Sequence, residues 1–137
     1  MMSTVVATMA NETACPMVAQ DFARSPGQRR LFPLVELGSL PTTHGAVIRE
    51  NIQYLHERLL GETLAANDPE IEATFNLFSE TWQARKDAGK GPDVSSDSEF
   101  CIQEGPVNQV TTDPNQTLRS WAVVINYLLR DYRFIHE

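Results

Sequence analysis

Apolar positions recur at helical spacing in three stretches of this chain, and the remainder is organised around them. The most apolar stretch is the last, over about 114–135. Leu118, Trp121, Ala122, Ile125, Leu128, Leu129 and Tyr132 follow one helical face there, while Val123, Val124 and Tyr127 add apolar surface on the others. Asp113 offers a capping carboxylate, Pro114 suits a first helical position, and Gln116 stands where a capping-box partner reaches back. These residues predict a helix that opens at Pro114 and is wrapped by protein along its middle.

Two amphipathic helices precede it. Over about 44–60, Val47, Ile48, Ile52, Leu55 and Leu59 form an apolar stripe, and Arg49, Glu50, Gln53, Glu57 and Arg58 largely occupy the opposite side. Thr43, or Thr42 before it, is the expected cap, and Gly61 is the natural stop. Over about 69–86, Ile71, Phe75, Phe78 and Trp82 are spaced by four, three and four residues, so three aromatics bring much of the core area. Asp68, Pro69 and Glu70 supply a cap, a first helical residue and acidic character at the positive end of the helix dipole. The short link between these two helices favours an antiparallel pair on which the last helix closes.

Elsewhere the pattern is weaker. Residues 1–30 read as a weakly ordered N-terminal segment, because Pro16 interrupts the one helix that 8–22 could form. Ser25, Pro26, Gly27 and Gln28 mark a turn. The apolar run 31–37 contains Pro33, which demotes it from a central strand, so it reads as an extended segment laying Leu31, Phe32, Leu34, Val35 and Leu37 across the helices. From about 87 to 112, glycine, proline, serine and aspartate predict a flexible loop, with room for a short β-hairpin between 99–103 and 107–110. The expected fold is therefore mainly α: a single helical domain over 31–137, built as a small bundle of three helices with an extended N-terminal segment and a long irregular loop.

Size and charge narrow the function classes. A chain of 137 residues fits one domain with a sizeable core. Its 18 acidic residues against 11 basic ones leave a net charge of −7, which argues against a nucleic-acid binder and against electrostatic docking on an anionic membrane. The one basic cluster, Arg24, Arg29 and Arg30, has no interleaved aromatic platform and is expected to be solvated or to pair with the acidic excess. No run of about 18 apolar residues occurs. The N-terminus lacks the positive region and sustained apolar core of a signal peptide, which favours a cytoplasmic location, unless the segment is a cut inside a longer parent chain.

Motifs that carry chemistry are not evident. His44, His56 and His136 form no i, i+4 pair and no HExxH, so neither a metal nor another cofactor is expected. His56 and Glu57 are adjacent and point about 100° apart on a helix. No GxSxG elbow or glycine-rich phosphate loop occurs. Cys15 and Cys101 have no metal-ligand spacing; as a disulfide they would contribute ~4 kcal/mol by closing a long loop, but without an export signal two small buried thiols are the expected state.

The leading expectation is a noncatalytic domain that acts through contacts with a protein partner or a second copy, as the C-terminal part of a larger protein. The alternative is a small enzyme or small-molecule-binding protein with a pocket between the helices and the 87–112 loop. Tyr54, His56, Trp82, Trp121 and Tyr132 would line that pocket, with His56 as acid or base.

Overall fold

The structure is a computed structural model that describes residues 4–95 and 108–136, with side chains over 14–95 and 108–130. It is mainly helical, in the order α1 (Thr4–Ala23), α2 (Gly45–Leu60), α3 (Pro69–Asp87) and α4 (Thr117–His136), with a one-turn 3-10 helix at Pro26–Gln28. No strand occurs among the described residues; Asp93 and Thr112 form an isolated antiparallel bridge. The proposed hairpin falls almost wholly outside the described residues.

The bundle thus has a fourth helix, α1, where the sequence predicts three. The helix runs through Pro16 instead of stopping there. Among its described side chains, Ala14, Cys15, Val18, Ala19, Asp21 and Phe22 are buried. Most are small, which lets α1 approach closely, and its most extensive packing is against α4. A stripe of alanine, cysteine and valine gives little contrast in hydropathy, so periodicity misses it.

Helix α4 begins three residues later than its Asp-Pro signal predicts. Gln116 takes a left-handed backbone, φ 63°, which breaks the helical run after Pro114. The Asp113 carboxylate still caps the helix from outside, accepting from Leu118 N–H at 2.9 Å and Arg119 N–H at 3.0 Å. Helix α2 likewise lacks the threonine cap: His44 is its N-cap without a side-chain bond, and Thr43 Oγ1 instead contacts His44 Nδ1 at 2.7 Å. Gly61 ends α2 in the left-handed region at φ 69°, its N–H bonding Glu57 O while Glu62 N–H bonds His56 O. Asp68 caps α3 by accepting from Glu70 N–H at 2.9 Å.

The core is centred on an aromatic stack. Phe22 of α1 lies 4.4 Å from Phe32, which lies 5.1 Å from Trp121 of α4, which lies 4.4 Å from Phe78 of α3. Leu31, Phe32 and Val35 of the 31–37 segment are buried, but Leu34 points outward and is 47% exposed, contrary to its expected core role. Helix α2 lies across the first half of α3. Arg49 sits 3.8 Å over the Phe75 ring and forks onto both oxygens of Glu72 at 2.9 Å.

The loop after α3 is clasped at its base. Val94, fully buried, donates its N–H to Thr111 O, and Asp113 N–H bonds Pro92 O. Arg119, only 3% exposed, reaches Gly91 O at 2.7 Å and Gln116 Oε1 at 3.1 Å, and lies 3.5 Å from Asp113 Oδ2. Gln116 Nε2 donates to Lys90 O at 2.7 Å.

Burial pushes the Asp113 carboxyl above the ordinary aspartate range, and the backbone N–H groups of Arg119 and Leu118, with the Arg119 guanidinium, draw it part of the way back. A carboxyl that holds its proton more tightly when folded contributes most stability below its unfolded pKa, and that contribution is lost as pH rises through the folded value. Asp113→Asn removes this component. The unfolding free energy of the native chain minus that of the variant is therefore expected to grow as pH falls from about 7 to about 4. Urea titrations at successive pH values measure it, and a flat difference contradicts it.

Candidate functional site: an arginine-rimmed groove

An open groove of about 270 Å³ lies between the C-terminal turns of α1, the 30–31 segment and the last turns of α2. Met17, Leu31 and Leu59 give it an apolar floor, and Arg24, Arg30 and Arg58 stand around it with Gln20. Next to it, Tyr54, Glu57 and Arg58 line a second hollow of about 330 Å³, so Arg58 belongs to both.

Asp21 builds the groove. Its side chain is fully buried, and its two oxygens accept from Arg30 N–H at 2.9 Å, Leu31 N–H at 3.0 Å and Phe32 N–H at 2.9 Å. Arg24 Nη1 adds a fourth donor at 2.9 Å. These bonds fold the chain after the 3-10 turn back over the end of α1. Helix α2 holds the same segment from the other side: Tyr54 Oη donates to Arg30 O at 2.7 Å, Asn51 Nδ2 donates to Leu31 O at 3.0 Å, and Leu34 N–H donates to Asn51 Oδ1 at 3.2 Å. Arg30 is thereby fixed at its backbone and left exposed at its side chain.

The basic cluster of the sequence divides here. Arg29 turns inward, its side chain 7% exposed. It donates to Arg24 O and Val35 O at 3.0 Å each, meets Glu36 Oε1 at 2.8 Å, and lies 5.3 Å over the Phe22 ring. Arg24 and Arg30 face the groove and are joined there by Arg58, twenty-eight positions beyond Arg30 in the chain. A guanidinium is a planar fork of N–H donors suited to carboxylate or phosphate oxygens. Three of them over an apolar floor can hold an anionic group with an apolar neighbour.

The side chains marked out by sequence lie mostly elsewhere. Tyr54 lines the second hollow. Trp82 is buried and donates Nε1–H to Asn115 O at 2.9 Å, with Lys86 5.0 Å over its ring. Trp121 is at the centre of the aromatic stack. The side chains of Tyr132 and His136 lie outside the described residues, as does Cys101, while Cys15 is buried in α1.

His56 is 1% exposed and lines neither hollow. Its Nδ1 lies 3.1 Å from Glu62 Oε1 and its Nε2 3.1 Å from Thr74 Oγ1. A hydroxyl, an imidazole and a carboxylate in a row resemble the geometry of a nucleophilic relay. Thr74, however, is fully buried and already donates its hydroxyl proton to Glu70 O at 2.9 Å. The row ties the end of α2 to the start of α3. Among the described residues, no group of three or more His, Cys, Asp or Glu side chains could hold a metal ion. No described helix is long and apolar enough to cross a membrane.

Nothing in the linear pattern pairs Arg58 with Arg24 and Arg30; the three meet only because Asp21, Asn51 and Tyr54 pin the intervening segment. The sequence matches no protein-family model, and it matches neither a curated protein nor a solved structure.

Proposed function

We propose that this chain is a noncatalytic helical recognition domain that acts through protein contacts, and that its working surface is the groove between α1 and α2. One observation carries the reading. In a chain of net charge −7, three arginines converge on one apolar-floored hollow. The buried ionisable groups Asp21, Arg29, His56, Asp113 and Arg119 are instead engaged by hydrogen bonds within the scaffold. Recognition needs an exposed surface with fixed donors; acid–base or nucleophilic chemistry needs a titratable group that a substrate can reach. His56, the acid–base candidate of the sequence, is withdrawn from solvent and engaged at both ring nitrogens.

A fragment screen on the isotope-labelled full chain tests where binding occurs. Small charged and uncharged fragments are expected to gather in the groove and to shift the amide resonances of Gln20, Leu31 and Leu59. Fragments that gather elsewhere, or none that bind, overturn the assignment.

A further inference from the structure

We infer that the groove receives a short acidic and apolar segment of a partner protein, with a carboxylate against the arginine rim and an adjacent apolar side chain on the floor; this rests on the recognition reading above. Charge complementarity sets the first half. The only carboxylate among the groove's lining residues is Asp21, and both of its oxygens are filled by four donors. An ionised carboxylate offers about four lone-pair sites, so Asp21 has none to turn outward. Arg24 is already paired with Asp21, so an incoming anion meets chiefly Arg30 and Arg58, which form no salt bridge among the described residues.

The floor sets the second half. Met17, Leu31 and Leu59 offer nothing to a bare phosphate, and a methionine thioether adapts to apolar side chains of differing shape. No aromatic ring is among the described residues that line this groove, which leaves it without the stacking platform that single-stranded nucleic acid uses. Its volume of about 270 Å³ falls below the ~300–1,000 Å³ of sites that enclose a drug-sized ligand. It suits one or two side chains of a longer segment that continues over the surface. The acidic excess of the domain as a whole disfavours such a segment on the acidic parts of its surface, which helps direct it to this position.

Three probes test this on the labelled full chain: a blocked peptide of alternating glutamate and leucine, its glutamine counterpart, and octanoate. The glutamate peptide is expected to shift the amides of Arg30, Leu31 and Leu59 and to bind at least tenfold tighter than the glutamine peptide or octanoate. Its affinity should drop at least tenfold in the double variant Arg30→Gln, Arg58→Gln. Both side chains are exposed, and an unchanged melting temperature shows that the variant is folded. Equal binding of the glutamine peptide, tighter binding of octanoate, or full affinity in the folded variant overturns the acidic partner. If fragments fill the groove but the glutamate peptide does not bind, the acidic partner falls and recognition at the groove stands; if neither binds, both fall.

Discussion

Trp121→Ala is expected to lower the unfolding free energy by about 3–5 kcal/mol. Trp121 is fully buried and touches rings from two other parts of the fold, Phe32 of the 31–37 segment and Phe78 of α3. Phe32 in turn stacks on Phe22 of α1 at an interplanar angle of 12°. Removing the indole empties a fully buried position between the Phe32 and Phe78 rings, and the surrounding elements cannot all close on the gap at once. Domains of this size are stable by only about 5–15 kcal/mol, so the variant sits near the limit of folding. Urea denaturation measures the loss. Tyr127→Ala is the comparison: its ring is 40% exposed and its hydroxyl bonds Glu70 Oε1 at the surface, so the loss there should stay near or below about 1 kcal/mol. A Trp121 variant that loses no more than the Tyr127 variant would remove the stack from its central place.

Asp21→Ala is expected to cost about 2–6 kcal/mol, because the N–H groups of Leu31 and Phe32 lose their acceptor while remaining buried, at about 1–3 kcal/mol each. The effect differs in kind from that of Trp121. No large cavity opens; the segment that carries Arg30 is released from α1. Hydrogen exchange at the Leu31 and Phe32 amides should accelerate beyond what the loss of global stability explains, and any ligand of the groove should weaken with it. Asp21→Asn keeps one acceptor oxygen and should fall between the native chain and alanine. Exchange at those amides that stays at native rates would show that something else anchors the segment.

How much of this is legible in the sequence depends on what each element buries. Helices α2 and α3 bury isoleucine, leucine, phenylalanine and tryptophan against charged opposite faces, a contrast that hydropathy records well. Helix α1 buries Ala14, Cys15 and Ala19, whose value lies in letting a neighbour approach rather than in the area they remove from water. Its central Pro16 argued for a break, yet tertiary packing overrode that local preference. The sequence places the start of α4 three residues early for a related reason. Asp113 caps from five and six residues away across a left-handed Gln116, a geometry that the usual spacing of capping motifs does not describe. The groove was beyond reach, because a basic triplet at 24, 29 and 30 does not reveal that its middle member is internal and that its missing third lies on α2. His56 shows the same limit in reverse: a histidine on a helix reads as chemistry until Thr74 and Glu62 are seen to occupy both of its nitrogens.

The clasp at the base of the loop after α3 has an architectural consequence. Val94 with Thr111, Pro92 with Asp113, and Gly91 with Arg119 join the chain to itself before 96 and after 107. These bonds tie the start of α4 to the chain leaving α3, so the two helices are joined through backbone hydrogen bonds and one guanidinium as well as through their side-chain packing. Breaking the neck, as Arg119→Ala would by freeing Gly91 O, is therefore expected to loosen the first turn of α4 before it touches the aromatic core.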